Sequence, residues 1–285
     1  MFPPPIEGQM WLMEQESTQI VVPEHTHQRR LPFRLGAPSY VIPADIVPNV
    51  EFLASHVDDV EILVMESDER SPLPSGQVVT TLKQLAGCHG LTYTVHLPLD
   101  IEPGCTNDEN RRRSVGKIVR AAQALSALTP FAYVLHLPLS GWRTTNEDDR
   151  QCWQQSLTRS VREILAHGME PEDLCVETLD YPFEWIEDLI EEYGLSVCVD
   201  VGHLILEGRE VLQSLDRYWP RVRILHLHGV VNGKDHRAVS HLDQGLLSRI
   251  LSRFTNGGER ERVVTLEVFD RVRLEESLSL MERIR

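Results

Sequence analysis

The sequence lacks the long apolar segments and the paired cysteines that mark membrane-spanning and disulfide-stabilised proteins. It contains no stretch of about 18 apolar residues to span a bilayer. Its opening segment, MFPPPIEGQMWLMEQES, has neither a basic flank nor an apolar run, so neither insertion nor secretion is expected. The five cysteines are odd in number, form no CxxC pair and mostly stand in apolar runs. These absences predict a reduced protein of the cytoplasm without a membrane partner.

An excess of positive charge is also missing. The formal net charge is -15, whereas a protein that binds duplex DNA needs a basic surface to replace counterions on the phosphate backbone. Long nucleic acid is therefore not the expected substrate, and a small molecule is. A small substrate that contains phosphate remains compatible with an acidic protein, because bound metal ions can reverse the local sign of the potential. With 41% hydrophobic and 25% charged residues, the composition is that of an ordinary globular protein with a large core.

The chain alternates short β-rich runs with longer amphipathic segments after an irregular start. Residues 1–32 carry prolines and mixed charge without periodicity, and they are interpreted as an N-terminal extension to a domain of residues 33–285. The predicted strands are Phe33–Tyr40, Val60–Met65, Leu91–His96, Phe131–His136, Leu174–Glu177, Ser196–Val201, Val222–His228 and Val263–Val268. Helix patterns cover Asn110–Leu128, Asp148–His167, Pro182–Tyr193 and Asp243–Phe254.

Eight parallel strands joined by helices predict an α/β fold, a single (β/α)8 TIM barrel. The 285 residues suit one such domain, since these barrels run to about 250 residues. An open doubly wound sheet is the alternative, but no Gly-rich phosphate loop follows the first predicted strand. The segment Gly229–Leu242, GVVNGKDHRAVSHL, is longer than a usual strand-to-helix connection, and such loops often carry function.

Histidines and carboxylates gather at the predicted strand ends, where a barrel of this kind keeps its active site. Among 12 histidines, those at or just beyond strand ends are His96, His136, His203, His226, His228, His236 and His241. Glu177, Asp200 and Glu267 take matching positions at the ends of strands five, six and eight, pointing into the barrel mouth. Each residue alone is more simply explained as a packed or solvated side chain. Together, buried carboxylates need cations to neutralise them, which predicts a metal site.

A repeated tetrapeptide and a short spacing add to the metal-site prediction. His96 and His136 each open an HLPL segment at a strand end. A packing repeat in which proline stops the strand explains the proline of this segment but not the shared histidine. In CVDVGH, the spacing of Asp200 and His203 can place two ligands around the turn after a strand, although the glycine between them is equally consistent with a tight turn.

Strand seven and the loop after it supply further candidates. In ILHLHG, His226 and His228 share one strand face, and we favour His226 as the metal ligand. His228 is a candidate for substrate binding, with support of a ligand or a structural role as alternatives. Asp235 and His236 in the loop are candidates for a further ion, and a solvated charged loop is the alternative.

Glu177 stands between the histidine strands and the Asp200 strand, so it is the candidate for a carboxylate that bridges two ions. Two or more ions a few Å apart would suit hydrolysis of a phosphodiester. Glu177 and Glu267 are then predicted to be catalytic through the ions that they hold, and Arg237 is predicted to assist at the phosphate. Other residues on the loops of the same rim are candidates for substrate contact or are simply solvated or packed: Tyr40, Glu66, Asp100, Trp142 and Asp180.

These residues, in this order, resemble the endonuclease IV and xylose isomerase-like superfamily of barrels, from about Leu35 to the C-terminus. The metal ligands that the resemblance implies are His96, His136, Glu177, Asp200, His203, His226, Asp235, His236 and Glu267. The endonuclease IV branch usually spaces the loop Asp and His by one residue, whereas Asp235 and His236 are adjacent. His241 is therefore an alternative to His236. Mixed His and carboxylate ligation implies two or three divalent ions, of Zn, Mn, Fe or Co.

A narrower resemblance is to the cobamide-remodelling phosphodiesterases of this superfamily. It is carried by the segments SYVIPADIVPNVEFLA, VDDVEILVMESDE, LTYTVHLPLD and LHLHGVVNGKDH. It implies hydrolysis of the phosphodiester that joins the nucleotide loop of a cobamide to the corrin side chain. The products would be cobinamide phosphate and a lower-ligand riboside, which would place the protein in corrinoid salvage.

Two other functions compete with this prediction. A single-metal sugar isomerase or epimerase of the same superfamily needs only Glu177, Asp200, His226 and Glu267. The additional pair His96 and His136 favours a multinuclear hydrolase over that alternative. A barrel that binds metal or ligand without catalysis ranks lowest, since an open polynuclear site is more typical of an enzyme. The oligomeric state is not predicted.

Overall fold

Eight parallel strands close into a barrel in the computed structural model, which describes residues 31–64, 73–139, 147–256 and 260–284. In chain order the strands are β1 (Arg34–Pro38), β2 (Asp59–Leu63), β3 (Thr92–His96), β4 (Ala132–Leu135), β5 (Leu174–Glu177), β6 (Ser196–Asp200), β7 (Val222–Leu227), β8 (Gly229–Val231), β9 (Lys234–Arg237) and β10 (Val263–Leu266). The barrel order is β1-β10-β7-β6-β5-β4-β3-β2, and β10 pairs with β1 to close it. The predicted (β/α)8 barrel is thus confirmed. The predicted extension of residues 1–32 lies almost wholly outside the described residues.

Helices surround the barrel and connect its strands. They are α1 (Ile46–Leu53), α2 (Gly76–His89), α3 (Asp108–Leu125), α4 (Glu147–Ala166), α5 (Glu187–Tyr193), α6 (Val201–Leu206), α7 (Val211–Tyr218), α8 (Gln244–Asn256) and α9 (Arg271–Ile284). Local chemistry sets several ends: the Ser75 side chain accepts a hydrogen bond from the Val78 backbone at the start of α2. Within the described residues, no helix has the length and apolar character needed to cross a lipid bilayer.

The barrel interior is lined by polar side chains on the β2 side and by apolar side chains on the opposite wall. Side chains alternate along each strand, so β2 turns Val60 and Ile62 toward the helices and Asp59 and Glu61 toward the interior. On the opposite wall, a small apolar cluster fills the interior below the mouth; it consists of Ala132, Val134, Cys175, Cys198 and Ile224. The carboxyl ends of the strands lie above these layers, and this is where the polar candidates meet.

The long connection after β7 folds into a β-hairpin rather than an irregular loop. Strands β8 and β9 pair antiparallel, with Gly229 opposite Arg237 and Val231 opposite Lys234. The two residues of the turn, Asn232 and Gly233, both have positive φ, 54° and 69°. These angles are required by a type I′ turn, which Asn-Gly favours. The hairpin carries Asp235 and His236 on its second strand.

Candidate metal centre

The strands present six predicted ligands at the same end of the barrel. His96, Glu177 and Asp200 are the last residues of β3, β5 and β6. His136 and Glu267 directly follow β4 and β10, and His226 is the next-to-last residue of β7. Parallel strands end at one face of a barrel, and this face holds the active site in TIM-barrel enzymes. The six side chains therefore converge on one centre.

Glu177 occupies the middle of this centre, and its side chain is 1% exposed. Its Oε2 atom lies 3.0 Å from His136 Nε2, 3.6 Å from His96 Nε2 and 3.4 Å from His226 Nδ1. Its Oε1 atom lies 3.3 Å from His203 Nδ1. The two oxygens of one carboxylate thus face different groups of imidazoles.

Asp200 links the centre to the first turn of α6. Its Oδ1 atom accepts a hydrogen bond of 2.7 Å from the backbone N–H of His203, which caps that helix. Its Oδ2 atom lies 3.1 Å from His228 Nε2 and 3.6 Å from His203 Nδ1. The cap explains the Asp-x-x-His spacing, because the aspartate that begins the helix brings the third helical residue back over it.

His236 reaches the centre from the hairpin. It has a φ of 48°, and its Nδ1 atom lies 3.6 Å from Glu267 Oε2 and 3.1 Å from the Glu267 carbonyl oxygen. The neighbouring Asp235 carboxylate is 3.8 Å from His236 Nε2. His241 is exposed, so it is His236 that adjoins Glu267. The left-handed backbone at His236 is a locally unfavourable conformation that the hairpin maintains.

His228 lies beneath the centre and has no exposed surface. Its Nδ1 atom accepts a hydrogen bond of 3.0 Å from the His236 backbone N–H, which places its proton on Nε2, 3.1 Å from Asp200 Oδ2. It therefore orients Asp200 and ties the hairpin to β7. This burial is contrary to the predicted contact between His228 and substrate and agrees with its alternative role in supporting a ligand.

The remaining candidates are distributed around the rim. Tyr40 follows β1 and is 52% exposed, and Asp180 is exposed after β5. Asp100 pairs with the buried Lys117 of α3, so its carboxylate is already engaged. Arg237 ends β9, and its side chain forms no ion pair within the part of the chain that the structure describes. Two predicted substrate contacts lie outside the described residues: Glu66 and Trp142.

An open cavity of about 150 Å³ stands above the centre. Its polar lining comes from the cluster: His96, His136, Glu177, His203, His236 and Glu267. Its apolar lining comes from Leu63, Val64, Leu99 and Phe269. A polar floor with apolar walls is typical of a small-molecule site.

The donor atoms fit divalent cations. Glu267 Oε2 and His226 Nδ1 lie 3.3 Å apart in the interior, and neither has a hydrogen-bond partner among the residues that the structure describes. Within the described residues, histidines alone are paired with Glu177, Asp200 and Glu267, and no lysine or arginine is. Sets of ligand atoms within 4.8 Å of one another include His96 with His136 and Glu177, Glu177 with Asp200 and His203, and His203 with His228 and His236. Buried carboxylates without permanent cations favour bound metal.

Electrostatic coupling within the cluster is strong. Burial by itself would raise the pKa of Glu177, but the neighbouring His136 and His226 hold it well below its usual range. Burial would lower the pKa of His203, but Asp200 and Glu177 raise it to about 10. The carboxylates are thus kept ionised, which is the form that binds metal.

Two interior residues of the cluster are absent from the sequence-based prediction. Glu61 of β2 contacts His226 from below, with 3.0 Å between Glu61 Oε2 and His226 Nε2. Cys198 of β6 lies within 4.8 Å of ligand atoms of Glu177 and His226. The alternation of VEILV indicates that Glu61 faces inward, but its partner is 165 residues further along the chain.

Comparisons with known proteins agree with the barrel fold. The model of the family described as xylose isomerase-like TIM barrel matches residues 50–284. A D-tagatose 3-epimerase-like protein has a TM-score of 0.69 and 18% identity, covering 88% of this chain and 96% of its own. Endonuclease IV from Thermus thermophilus has a TM-score of 0.62 and 23% identity, covering 88% and 99%. At 18% and 23% identity, these two structures show that the chain shares their fold and show nothing further. The search of curated proteins found no match.

Proposed function

Since the chain belongs to the xylose isomerase-like TIM barrel family, we propose that it is a metal-dependent phosphodiesterase acting on cobamides. It hydrolyses the phosphodiester between the nucleotide loop and the corrin side chain, so that water's oxygen joins phosphorus and the ribose oxygen leaves with a proton. The products are cobinamide phosphate and a lower-ligand riboside. The substrate class comes from the resemblance of four segments to the cobamide-remodelling phosphodiesterases, and the reaction type is supported by the centre.

The observation that carries the proposal is the two-sided environment of Glu177. Its Oε2 atom faces His96 and His136, and its Oε1 atom faces His203. A carboxylate with ligand groups at both oxygens is suited to bridging two ions, the arrangement that favours phosphodiester hydrolysis. A single-metal epimerase has no need of the imidazoles at positions 96 and 136.

Each group of residues around the cavity has a separate proposed role. His96, His136 and Glu177, which lie within reach of one ion, would hold the first. We assign Glu177, Asp200, His226 and Glu267 to a second ion. His203 and His236 would hold a third, with Asp235 beside His236. Bound divalent ions would supply an activated water and offset charge on the phosphate oxygens. Leu99 and Phe269 give the cavity apolar walls beside the site proposed for the phosphate. Arg237, unpaired among the described residues, is available to a phosphate oxygen.

Metal analysis and a substrate assay on the same purified protein test the proposal. We expect two or three divalent ions per chain and release of cobinamide phosphate from a cobamide. A ketohexose and an abasic-site DNA duplex serve as alternative substrates in the same buffer and metal. Bound ions without cobamide hydrolysis would reject the substrate. One ion per chain together with ketohexose epimerisation would replace the proposal by the epimerase, and cleavage of the duplex would replace it by a nuclease.

Glu177→Gln and His136→Ala test the centre itself. Each change removes a ligand atom, so we expect cobamide hydrolysis to fall by about 100-fold or more, at least as much as loss of an outer support costs a metal site. The exposed His89 at the end of α2 provides the matched control, and His89→Ala should retain wild-type rates. Circular dichroism checks that all three variants are folded. Full activity in either ligand variant would reject the assignment of the centre.

A further inference from the structure

Glu61 is a buried carboxylate that the proposed chemistry does not use. It stands in the middle of β2 with 0% exposure and faces the barrel interior. Its Oε2 atom lies 3.0 Å from His226 Nε2, and the Thr265 hydroxyl lies 3.4 Å from the same oxygen. A buried carboxylate without a strong partner is costly, so the contact with His226 is the interaction that accounts for it.

The other ring nitrogen of His226 points at the metal centre. His226 Nδ1 lies 3.3 Å from Glu267 Oε2, 3.4 Å from Glu177 Oε2 and 3.8 Å from Asp200 Oδ2. It has no hydrogen-bond partner within the described part of the chain. One nitrogen of the ring therefore meets a carboxylate outside the centre while the other meets the three carboxylates of the centre.

We propose that Glu61 is a positioning residue that accepts the His226 Nε2–H and thereby presents the Nδ1 lone pair to the metal. A neutral imidazole carries one proton, so a proton fixed on Nε2 leaves Nδ1 free to coordinate. The negative charge of Glu61 also increases the basicity of the ring as a ligand. The inference rests on metal binding as part of the proposed function, and it is independent of the substrate.

The same strand offers a matched control. Asp59 is also fully buried and faces inward two residues earlier, but its Oδ2 atom accepts a 2.6 Å hydrogen bond from the Thr92 hydroxyl. Replacing Asp59 by Asn removes a buried negative charge from β2 without removing the partner of His226. If the loss of any buried charge weakens metal binding, replacement of either Asp59 or Glu61 will lower the metal affinity. If Glu61 acts by positioning His226, only replacement of Glu61 will lower it.

Zinc affinity measured by chelator competition tests the proposal without reference to any substrate. We expect Glu61→Leu to weaken zinc binding by about 10-fold to 100-fold, the range for supports of metal-bound histidines. Glu61→Gln keeps an acceptor oxygen and should recover most of that loss, and Asp59→Asn should bind as the wild type does. Equal losses in the two Glu61 variants, as a direct ligand would give, would overturn the proposal. So would wild-type affinity in Glu61→Leu or an equal loss in Asp59→Asn.

The position of the proton on the His226 ring can also be measured in the unmodified protein. This measurement tests the proposal even if Glu61→Leu does not fold. Long-range ¹H–¹⁵N spectra of histidine-labelled protein, with and without zinc, separate protonated from metal-bound nitrogens. We expect a zinc-loaded ring with protonated Nε2 and metal-shifted Nδ1 that is missing in His226→Gln. A His226 ring with protonated Nδ1 and zinc on Nε2 would contradict the proposal. Failure of cobamide hydrolysis would leave both measurements unaffected.

Discussion

Gly202 sets the position of the His228 ring. A Cβ atom at Gly202 would lie 1.9 Å from His228 Cε1 and 2.4 Å from its Nδ1. Because His228 holds Asp200 through a 3.1 Å contact and ties down the hairpin, a displaced ring would move a metal ligand. The absence of one side chain in α6 is therefore a requirement of the centre.

We expect Gly202→Ala to lower kcat/KM for cobamide hydrolysis by about 100-fold, the effect of misplacing a catalytic group by about 1 Å. Gly87→Ala is the control, since a Cβ there meets nothing within 4 Å and favours helix α2. The measurement is steady-state kinetics with metal content determined on the same samples. Unchanged kinetics in Gly202→Ala would show that His228 does not orient Asp200.

Asp59 makes stability depend on pH. Burial, with a smaller contribution from the nearby Glu61, raises its pKa from the usual 3.8 to about 6, despite the hydrogen bond from Thr92. The unfolded chain therefore loses this proton first, so folding stability falls as pH rises from about 4 to about 6 and is level above that. The difference of about two pKa units corresponds to roughly 3 kcal/mol.

Asp59→Asn keeps the polar group but removes this titration. We expect the variant to exceed the wild type in free energy of unfolding by roughly 3 kcal/mol at pH 7.5 and to match it near pH 4. Urea unfolding at half-unit pH steps, with a constant metal or chelator concentration, gives both curves. A difference between the curves that does not vary with pH would mean that Asp59 is ionised throughout.

At the scale of the elements, the β8–β9 hairpin decides whether the loop residues join the centre. Its turn needs positive φ at Asn232 and Gly233, and β9 then brings His236 to within 3.6 Å of Glu267. Alanine at Gly233, where φ is 69°, costs roughly 1–2 kcal/mol in the left-handed region. This cost destabilises the hairpin, whose two strands are not part of the barrel sheet.

Gly233→Ala should therefore affect the hairpin more than the barrel. We expect faster hydrogen exchange in residues 229–237 and at least a tenfold loss of hydrolysis, with the barrel amides still protected. Gly168→Ala is the matched control, because Gly168 also has positive φ, 88°, but lies after α4 away from the centre. Equal loss of hydrolysis in both variants would show that the hairpin has no special role.

The strands and most of the residues that gather at the candidate centre could be predicted from the sequence, because alternation along a strand and the common end of parallel strands are local rules. The hairpin carries a local signal too, the Asn232–Gly233 pair, which favours a type I′ turn. The alternation around Glu61 indicates only that it faces inward, since its role depends on a contact across the closed barrel with His226. Burial of His228 likewise depends on the fold of the hairpin above it.

At the scale of the whole molecule, the candidate metal centre joins six of the eight barrel strands. Its predicted ligands come from β3 to β7, the hairpin and β10, so bound ions would cross-link elements that are distant in sequence. Without metal, four carboxylates that are at most 5% exposed, Glu61, Glu177, Asp200 and Glu267, depend on histidine protons for neutralisation. Ions bound at this centre would therefore contribute to folding stability.

Metal removal should lower the melting temperature of the entire barrel. A ligand at 100 times its dissociation constant stabilises the native state by about 2.7 kcal/mol, which for a domain of this size corresponds to roughly 5–10 °C. We expect EDTA to shift the melting temperature down by this amount, and zinc in excess of the chelator to restore it. Glu177→Gln, which loses the central ligand, should show a much smaller difference between its zinc-loaded and EDTA-treated forms. If chelation leaves the wild-type melting temperature unchanged, or shifts Glu177→Gln equally, the ions do not bind at this centre.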